Sequence, residues 1–465
     1  MKWDEFAVWS KVIADWGATY HKTIRDLPVR AQTKKGMIAA QIAPSPPTTP
    51  HNMADIMRDF EQIIMPGMTH WQHPRFFAYF PANATPPSML AEQLTNTVAA
   101  QCMLWQTSPA ATELEEVMID WLRQALGLKE GFTGVIQDSA SSATLSAILT
   151  MRERAINYTG NSDGLSEKGN IRIYGSEQMH SSIDRACWVA GIGQNNLIKI
   201  PVSGRDYAMD SGALEQAIID DIANGHKPAG IVAITGGTTI GACDDLASVV
   251  EVAKKYGLYT HLDAAWAGSA MICPEYRERF WQGVDGFDSI VFNPHKWLGA
   301  QLDCSVQFLA SAEPQLNALK IEPEYLKTTG DSFTNFSEWT ISLGRRFRAL
   351  KIWILLRAYG LDELQNRIRN HVKWAEELSE IIGQMDGFHI SSAPMLSLFS
   401  FRCEGDDDTQ QRLVDAINDD GRLYVTQGAF QGQKIIRIQI GQFDTTYEDV
   451  MLVPVVLKEH FALLR

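Results

Sequence analysis

The sequence has no apolar run approaching the roughly 18 residues that a bilayer span requires, and no long block of like charge. Its 41 basic and 55 acidic residues leave a net charge of −14 spread along 465 residues. Without a basic footprint, neither nucleic acid nor an anionic membrane is expected as a partner. Cysteine is sparse: Cys102, Cys187, Cys243, Cys273, Cys304 and Cys403 are scattered. They show no paired CxxC spacing and no histidine cluster, so no metal is expected and the six read as buried reduced thiols. No internal repeat is visible. The opening stretch, "MKWDEFAVWSKVIADW", is amphipathic and carries acids, which fits neither a signal peptide nor a basic transit sequence. A reducing cytoplasm is the expected compartment.

What is present is an ordinary globular composition, 45% apolar, in a chain long enough for one large domain with smaller appendages. Residues 5–25 have helix spacing. The proline-rich "APSPPTTPHN" (43–52) reads as an extended connector into a second helix over 53–64. From about residue 85 to 310, short β-branched runs alternate with helical stretches: "IRIYG" (171–175), "LIKIP" (197–201), "GIVAIT" (230–235), "LYTHLD" (258–263), "DSIVF" (288–292) and "SVQFL" (305–309). Buried strands separated by helices predict an α/β domain with a largely parallel sheet. After a helical stretch near 344–380 come "LSLFSFRC", a helix, "RLYVTQ", "KIIRIQI" and a last helix, the pattern of a small α+β domain. The expected division is a helical arm over 1–84, a large α/β domain over 85–365 and a small domain over 366–465. The polar segments 159–170 and 327–337 are expected to be exposed loops.

In open α/β sheets, ligands bind beyond the carboxyl ends of the strands. "HLDAAWAGSA" places Asp263 at such an end, "NPHKW" places Lys296 at another, and "AITGGTTIGA" ends a third in a turn whose hydroxyls and amides can face a ligand. A lysine and an aspartate on neighbouring strand ends suit pyridoxal phosphate, whose aldehyde takes a lysine Schiff base and whose pyridine nitrogen takes a carboxylate. At about 4 Å and an effective dielectric near 20, the carboxylate's attraction is about 4 kcal/mol, or roughly 3 pKa units. That keeps the ring nitrogen protonated at neutral pH. "IQDSASSATL" puts Ser139 and Ser141 at a helix start, where hydroxyls and unpaired N–H groups converge on an anion. His180, before the Ser-capped helix of "SEQMHSSIDRA", stands where an imidazole could lie flat against a ring. Each feature taken singly has a structural alternative: capping for Ser139, Asp263 and His180, a solvated charge for Lys296. Those alternatives predict no particular order or spacing among the four.

At this point the chain resembles the pyridoxal-phosphate-dependent aromatic L-amino-acid decarboxylases, within the group that includes glutamate and histidine decarboxylases. The resemblance covers nearly the whole length. It is carried by "MPGMTHWQHPRFFAYFPA" (65–82), "TSPAATELEEVMIDWL" (107–122), "SEQMHSSIDRA" (176–186), "HLDAAWAGSA" (261–270), "FNPHKW" (292–297), "DCSVQF" (303–308), "PEYLK" (323–327) and "LGRRFRALKIW" (343–353). It implies a fold-type I pyridoxal-phosphate enzyme acting on a small-molecule amino acid, and a homodimer with the arm exchanged between subunits. By resemblance, Lys296 carries the cofactor, Asp263 pairs with its pyridinium and His180 stacks on its ring. Ala140, Ser141, Asn293 and His295 hold the phosphate, Thr238 and Ala265 line the ring, and Tyr325 on a mobile loop protonates the α-carbon. The implied reaction is decarboxylation of tryptophan, tyrosine, phenylalanine or DOPA to the amine and carbon dioxide.

Trp71, Tyr79, Phe80 and Pro81 match the family's aromatic pocket, whose flat apolar walls favour a planar side chain. Departures from the family pattern cluster around it. Ala82 stands where catechol-handling animal members have threonine, which argues against a strict DOPA preference. Gln101 and Met103 replace apolar and aromatic residues, Trp266 replaces a tyrosine, and Ser337 stands where an arginine is expected. Gly344 matches the glycine of roomier pockets that admit indoles. Two rival activities keep the cofactor: an aldehyde synthase that couples decarboxylation to oxidative deamination, and a decarboxylase of an acidic amino acid. The first accompanies loss of the loop tyrosine or the stacking histidine, and both Tyr325 and His180 are present. The second calls for a basic pocket residue, and none is identified in the sequence.

Overall fold

A computed structural model describes residues 1–321 and 333–464. Contacts divide the chain into two compact units, one of Met1–Pro81 with Lys373–Arg465 and one of Ala82–Val372.

The unit Ala82–Val372 is built on a seven-stranded sheet: β1 (Thr133–Gln137), β2 (Ile171–Ser176), β3 (Leu197–Ile200), β4 (Lys227–Ile234), β5 (Tyr259–Asp263), β6 (Ser289–Phe292) and β7 (Ser305–Leu309). In space the order is β1-β7-β6-β5-β4-β2-β3. Strands β2 to β6 pair in parallel, while β7 runs antiparallel to both β6 and β1. Strands β5, β6 and β7 are buried along their whole length, because helices cover both faces of a parallel sheet, and this is why they read as unbroken apolar runs rather than alternating ones. The helices used below are α1 (Pro109–Leu126), α2 (Ala140–Ala155), α3 (Ser181–Val189) and α4 (Leu246–Tyr256). Ser139 caps α2, His180 caps α3 and Asp245 caps α4, each by accepting a backbone N–H of the first turn. Six strands were legible as β-branched runs. The seventh, β1, is only five residues and includes Gly134, whose Cβ would lie 2.4 Å from the Gln307 carbonyl oxygen.

The unit Met1–Pro81 with Lys373–Arg465 holds an antiparallel sheet of β8 (Phe388–Met395), β9 (Leu398–Cys403), β10 (Thr426–Phe430) and β11 (Gln433–Gln439), in the order β8-β9-β11-β10. Its apolar face meets α5 (Asp407–Asp420) and α6 (Tyr447–Ala462) around Phe399, Phe401, Leu413, Ile436 and Val453, all fully buried. β10 begins at Thr426, four residues later than the run "RLYVTQ" suggests. Tyr424 is taken instead by main-chain bonds with Arg75 and Phe77. The arm helix, Trp3–Thr23, buries no residue.

The 159–170 segment is mostly exposed apart from Gly160, which is buried in a short helix at Gly160–Asp163. The expectation of an exposed loop fails at Phe336 and Ser337, which are 2% and 9% exposed; residues 322–332, including Tyr325, lie outside the described residues. No helix among the described residues is long and apolar enough to cross a membrane.

Candidate active site

The expected cofactor residues of the larger unit fall at the carboxyl ends of strands, the edge at which a parallel sheet opens. Ala140 and Ser141 follow β1, His180 follows β2, Thr238 follows β4, Asp263 and Ala265 end β5, and Asn293, His295 and Lys296 follow β6. Asp263 is 9% exposed, and its Oδ1 accepts the Ala265 N–H at 3.0 Å. Its Oδ2 accepts no hydrogen bond among the described residues. The capping alternative for Asp263 is therefore real, but it occupies one oxygen of two.

Lys296 sits in a tight turn, Pro294–Leu298, whose backbone is held from several sides. Asn83 Nδ2 donates to the Lys296 carbonyl at 2.6 Å, the Asn83 N–H to the His295 carbonyl, and the Thr85 hydroxyl and N–H both to the Gly299 carbonyl. Asn293 is tied to β5 by its N–H on the Ala265 carbonyl and to β7 through Ser305, whose hydroxyl donates to Asn293 Oδ1 at 2.6 Å. His295 Nδ1 accepts the Cys304 N–H at 2.9 Å. Burial, reinforced by the neighbouring Lys296 charge, pushes the His295 pKa down to about 4. The ring is neutral at pH 7 and carries its proton on Nε2.

His180 takes the role of a helix cap, the structural alternative given above. Its Nδ1 accepts the Ser182 N–H at 3.1 Å as a helix cap and meets Ser182 Oγ at 2.8 Å. Although the residue is exposed by area, crowding lowers its pKa, the Asp263 charge raises it and the Lys296 charge lowers it. One imidazole feels both the carboxylate and the amine, which places all three in one electrostatic neighbourhood.

The turn after β4 depends on Trp266. Its indole Nε1–H donates to the Gly236 carbonyl at 2.6 Å, and its ring packs 5.4 Å from that of Trp297. Gly236 has φ +86°, and a Cβ there would lie 2.7 Å from Trp266 Nε1 and Ala267 Cβ, so only glycine fits. Thr238 is half-buried in this turn, and the buried Thr235 hydroxyl at its start has no hydrogen-bond partner among the described residues.

The expected pocket residues divide between the two units. In the smaller unit Trp71 is 39% exposed and packs against Phe76 and Tyr79 at centroid distances of 4.5 and 5.8 Å. Tyr79 has φ +47°, a strained value for a side chain of its size. The Tyr79 carbonyl accepts from Arg437, a buried guanidinium 5.0 Å from the Phe80 ring centroid; Pro81 is buried. In the larger unit Gln101 Oε1 accepts the Arg345 N–H at 2.8 Å, and a Cβ on Gly344 would stand 3.2 Å from Gln101 Nε2. Met103 offers its carbonyl to the Ser337 N–H at 3.0 Å, while Ala82 is half-buried shortly before the helix Pro86–Val98.

Asn83, Thr85, Ser305 and Arg437 escaped the sequence reading. The first two had a signal, "ANAT" between two apolar segments, where polar residues are there to bond something. Ser305 and Arg437 had none, since each sits in a strand whose partners are remote in sequence.

These residues fit pyridoxal phosphate. The Ala140 and Ser141 N–H groups that open α2 have no intrahelical acceptors, the arrangement that suits an anion, Asp263 Oδ2 is an available acceptor for a protonated ring nitrogen, and the Thr235 hydroxyl, without a bond among the described residues, adds a polar group at the same edge. A lysine, a carboxylate and an imidazole at the ends of neighbouring parallel strands define the class: an α/β enzyme built for this cofactor. Residues 36–404 match the family described as pyridoxal-dependent decarboxylase conserved domain. The chain is 37% identical to the aromatic-L-amino-acid decarboxylase of Sus scrofa over 455 residues, covering 95% of this chain and 93% of that one. It is 35% identical to phenylacetaldehyde synthase of Arabidopsis thaliana over 455 residues, covering 94% and 92%. A crystal structure of Oryza sativa TDC with PLP and tryptamine superposes with a TM-score of 0.96 at 30% identity, over 100% of this chain and 99% of that one. The chain belongs to the pyridoxal-dependent decarboxylases and is a pyridoxal-phosphate-dependent amino-acid decarboxylase.

Proposed function

We propose that the chain converts an aromatic L-amino acid, tryptophan, tyrosine, phenylalanine or DOPA, to its amine and carbon dioxide. The observation that carries this is the placement of Lys296, Asp263 and His180 at the carboxyl ends of neighbouring parallel strands, with both charges acting on the imidazole. The names of the relatives, one of them a structure holding tryptamine, support an aromatic substrate.

Bound pyridoxal phosphate supplies an electron sink for the pair released when the Cα–carboxylate bond breaks. The chain's residues do the rest. Lys296 would hold the cofactor through its aldehyde, and the bond from Asn83 Nδ2 to the Lys296 carbonyl fixes the turn from which it reaches. Asp263 holds a proton at the ring nitrogen, which makes the ring accept charge. Ala140 and Ser141 with Asn293 and neutral His295 hold the phosphate, and Thr238 and Ala265 line the ring. His180 would lie against the cofactor's ring and hold its orientation, on which the choice of the bond broken depends. Tyr325 returns a proton to the α-carbon as general acid. Trp71, Tyr79, Phe80 and Pro81 are assigned to the substrate ring by the resemblance, and so are Ala82, Gln101, Met103 and Gly344, the last matching the glycine of pockets that admit indoles.

The protein works as a homodimer in a reducing cytoplasm. An arm helix that buries none of its own residues, with Trp3 83% exposed and Val8 62% exposed, supports a second copy as its cover, and six free, buried cysteines support a reducing compartment. Light scattering of the full chain tests the first point, a dimer mass being the expected result.

The aldehyde synthase reading keeps a specific foothold, because one relative at 35% identity carries that name. Mass spectrometry of products from separate incubations with L-tryptophan, L-tyrosine, L-phenylalanine, L-DOPA, L-aspartate and L-glutamate decides between them. Amine is expected from one or more aromatic substrates. A Tyr325→Phe variant is expected to shift the product to aldehyde, ammonia and peroxide, and an unchanged amine yield in that variant removes the role given to Tyr325.

A further inference from the structure

His261 has no part in the chemistry above, yet it is fully buried at a point where four elements meet. An apolar side chain there would avoid the cost of desolvating an imidazole, which is tolerable only when both ring nitrogens are bonded. Both are. Nδ1 lies 2.9 Å from Ser289 Oγ on β6, and Nε2 lies 3.3 Å from Thr144 Oγ1 on α2. The Ser289 hydroxyl also accepts from Gln307 Nε2 on β7 at 3.1 Å, and with two lone pairs and one proton it can pair with Nδ1 in either tautomer of the imidazole. Gln307 in turn is bonded by Gln137 of β1 at 3.0 Å and donates to Gln315 at 2.9 Å, so Ser289 belongs to a continuous chain of buried side-chain bonds.

The positions of the two partners give this network a task. Thr144 stands one helical turn after Ala140, on the same face of α2. His261 stands two residues before Asp263, on the same face of β5. One side chain thus spans from the helix whose first turn offers its N–H groups to an anion, to the strand that ends in the carboxylate. On the assignment proposed above, pyridoxal phosphate would be held at both of these ends, by its phosphate and by its ring nitrogen, besides its attachment to Lys296.

We propose that His261 is a positioning residue for the cofactor, a neutral imidazole that fixes the spacing between the phosphate-binding start of α2 and Asp263. The proposal rests on the assignment of Ala140, Ser141 and Asp263 to the cofactor. It separates the two nitrogens. A glutamine amide reaches the place of Nε2 and restores the link to Thr144, whereas an asparagine amide reaches only the place of Nδ1 and keeps the link to Ser289.

The test is titration of the apoprotein with pyridoxal phosphate, read by the absorbance and circular dichroism of the bound cofactor, with the melting temperature of each apoprotein measured alongside. His261→Leu and His261→Asn are expected to bind about ten-fold more weakly, the scale of one or two buried hydrogen bonds, with a changed dichroism band. His261→Gln is expected to bind within about two-fold of the wild type. Thr144→Val, which removes the α2 partner alone, is expected to match His261→Asn and serves if the leucine variant does not fold. Variants that melt earlier but bind as tightly as the wild type, with an unchanged dichroism band, overturn the proposal and leave His261 a packing residue. Asp263→Ala is the control. If it binds normally, the assignment of the site has failed; if it binds weakly while the His261 series binds normally, only this inference has.

Discussion

Arg345 offers the sharpest test of how the larger unit is held together. It is 2% exposed at its side chain and pairs with Glu115 on α1, itself 3% exposed, at 2.5 Å. The same Nη2 donates to the Ile136 carbonyl of β1 at 2.9 Å, the guanidinium stands 4.9 Å from the Phe336 ring centroid, and the Arg345 carbonyl accepts the Cys102 N–H at 3.0 Å. Glu115 Oε1 also accepts the Ile136 N–H at 2.8 Å. Replacing Arg345 with methionine keeps the bulk but strands a carboxylate in a dry site, which costs roughly 3–5 kcal/mol. Glu115→Gln with Arg345→Met leaves no charge, and the glutamine oxygen still accepts from Ile136. The double variant should therefore be more stable than Arg345→Met alone, by about 1–3 kcal/mol. Urea unfolding followed by circular dichroism gives the three midpoints against wild type. An Arg345→Met penalty below about 1 kcal/mol, or a double variant equal to the sum of the singles, would falsify the claim that this pair is a coupled, desolvated unit.

Asn83→Ala removes the bond to the Lys296 carbonyl; a loss of about 0.5–1.5 kcal/mol in transition-state stabilisation, a two- to ten-fold fall in kcat with little change in KM, is expected from steady-state kinetics. Trp266→Phe leaves the Gly236 carbonyl without its donor and should lower stability by about 1–3 kcal/mol; a melting temperature equal to the wild type's would show that the indole bond contributes nothing. Acid should weaken the fold through buried histidines. His261 and His295 have pKa values pushed down from 6.5 to about 4 by burial, so the unfolded chain takes up their protons first. Their stability is intact above pH 6.5 and is lost as pH falls towards 4, about 2 kcal/mol for each at pH 5. Urea midpoints at pH 7.5 and pH 5 check this, and equal midpoints would refute it.

Much of the architecture follows from local pattern. Strands buried on both faces must be apolar throughout, so β2 to β7 announce themselves as β-branched runs separated by helical stretches. The ends of those strands then point to Asp263 and Lys296, because ligand edges in parallel sheets follow from topology. Ser139 and His180 are legible as caps for the same local reason: a cap bonds a backbone group two or three residues away. Where the reading failed, the cause lay at long range. β10 starts late because Tyr424 is engaged by Arg75 and Phe77, hundreds of residues distant in sequence. Phe336 is buried inside a segment of loop-like composition because Arg345 covers its ring.

Periodicity and spacing within a few residues were enough for the class of fold, the order of the strands along the chain and the choice of the four groups proposed to take the cofactor. The tertiary structure decided what holds those groups in place. Asn83 on the Lys296 turn, Ser305 on Asn293, Trp266 on Gly236 and His261 between Thr144 and Ser289 are bonds between residues from 12 to 213 positions apart. Periodicity carries no information over such distances, because only packing of the whole sheet and its helices brings those donors and acceptors within 3 Å or so of each other.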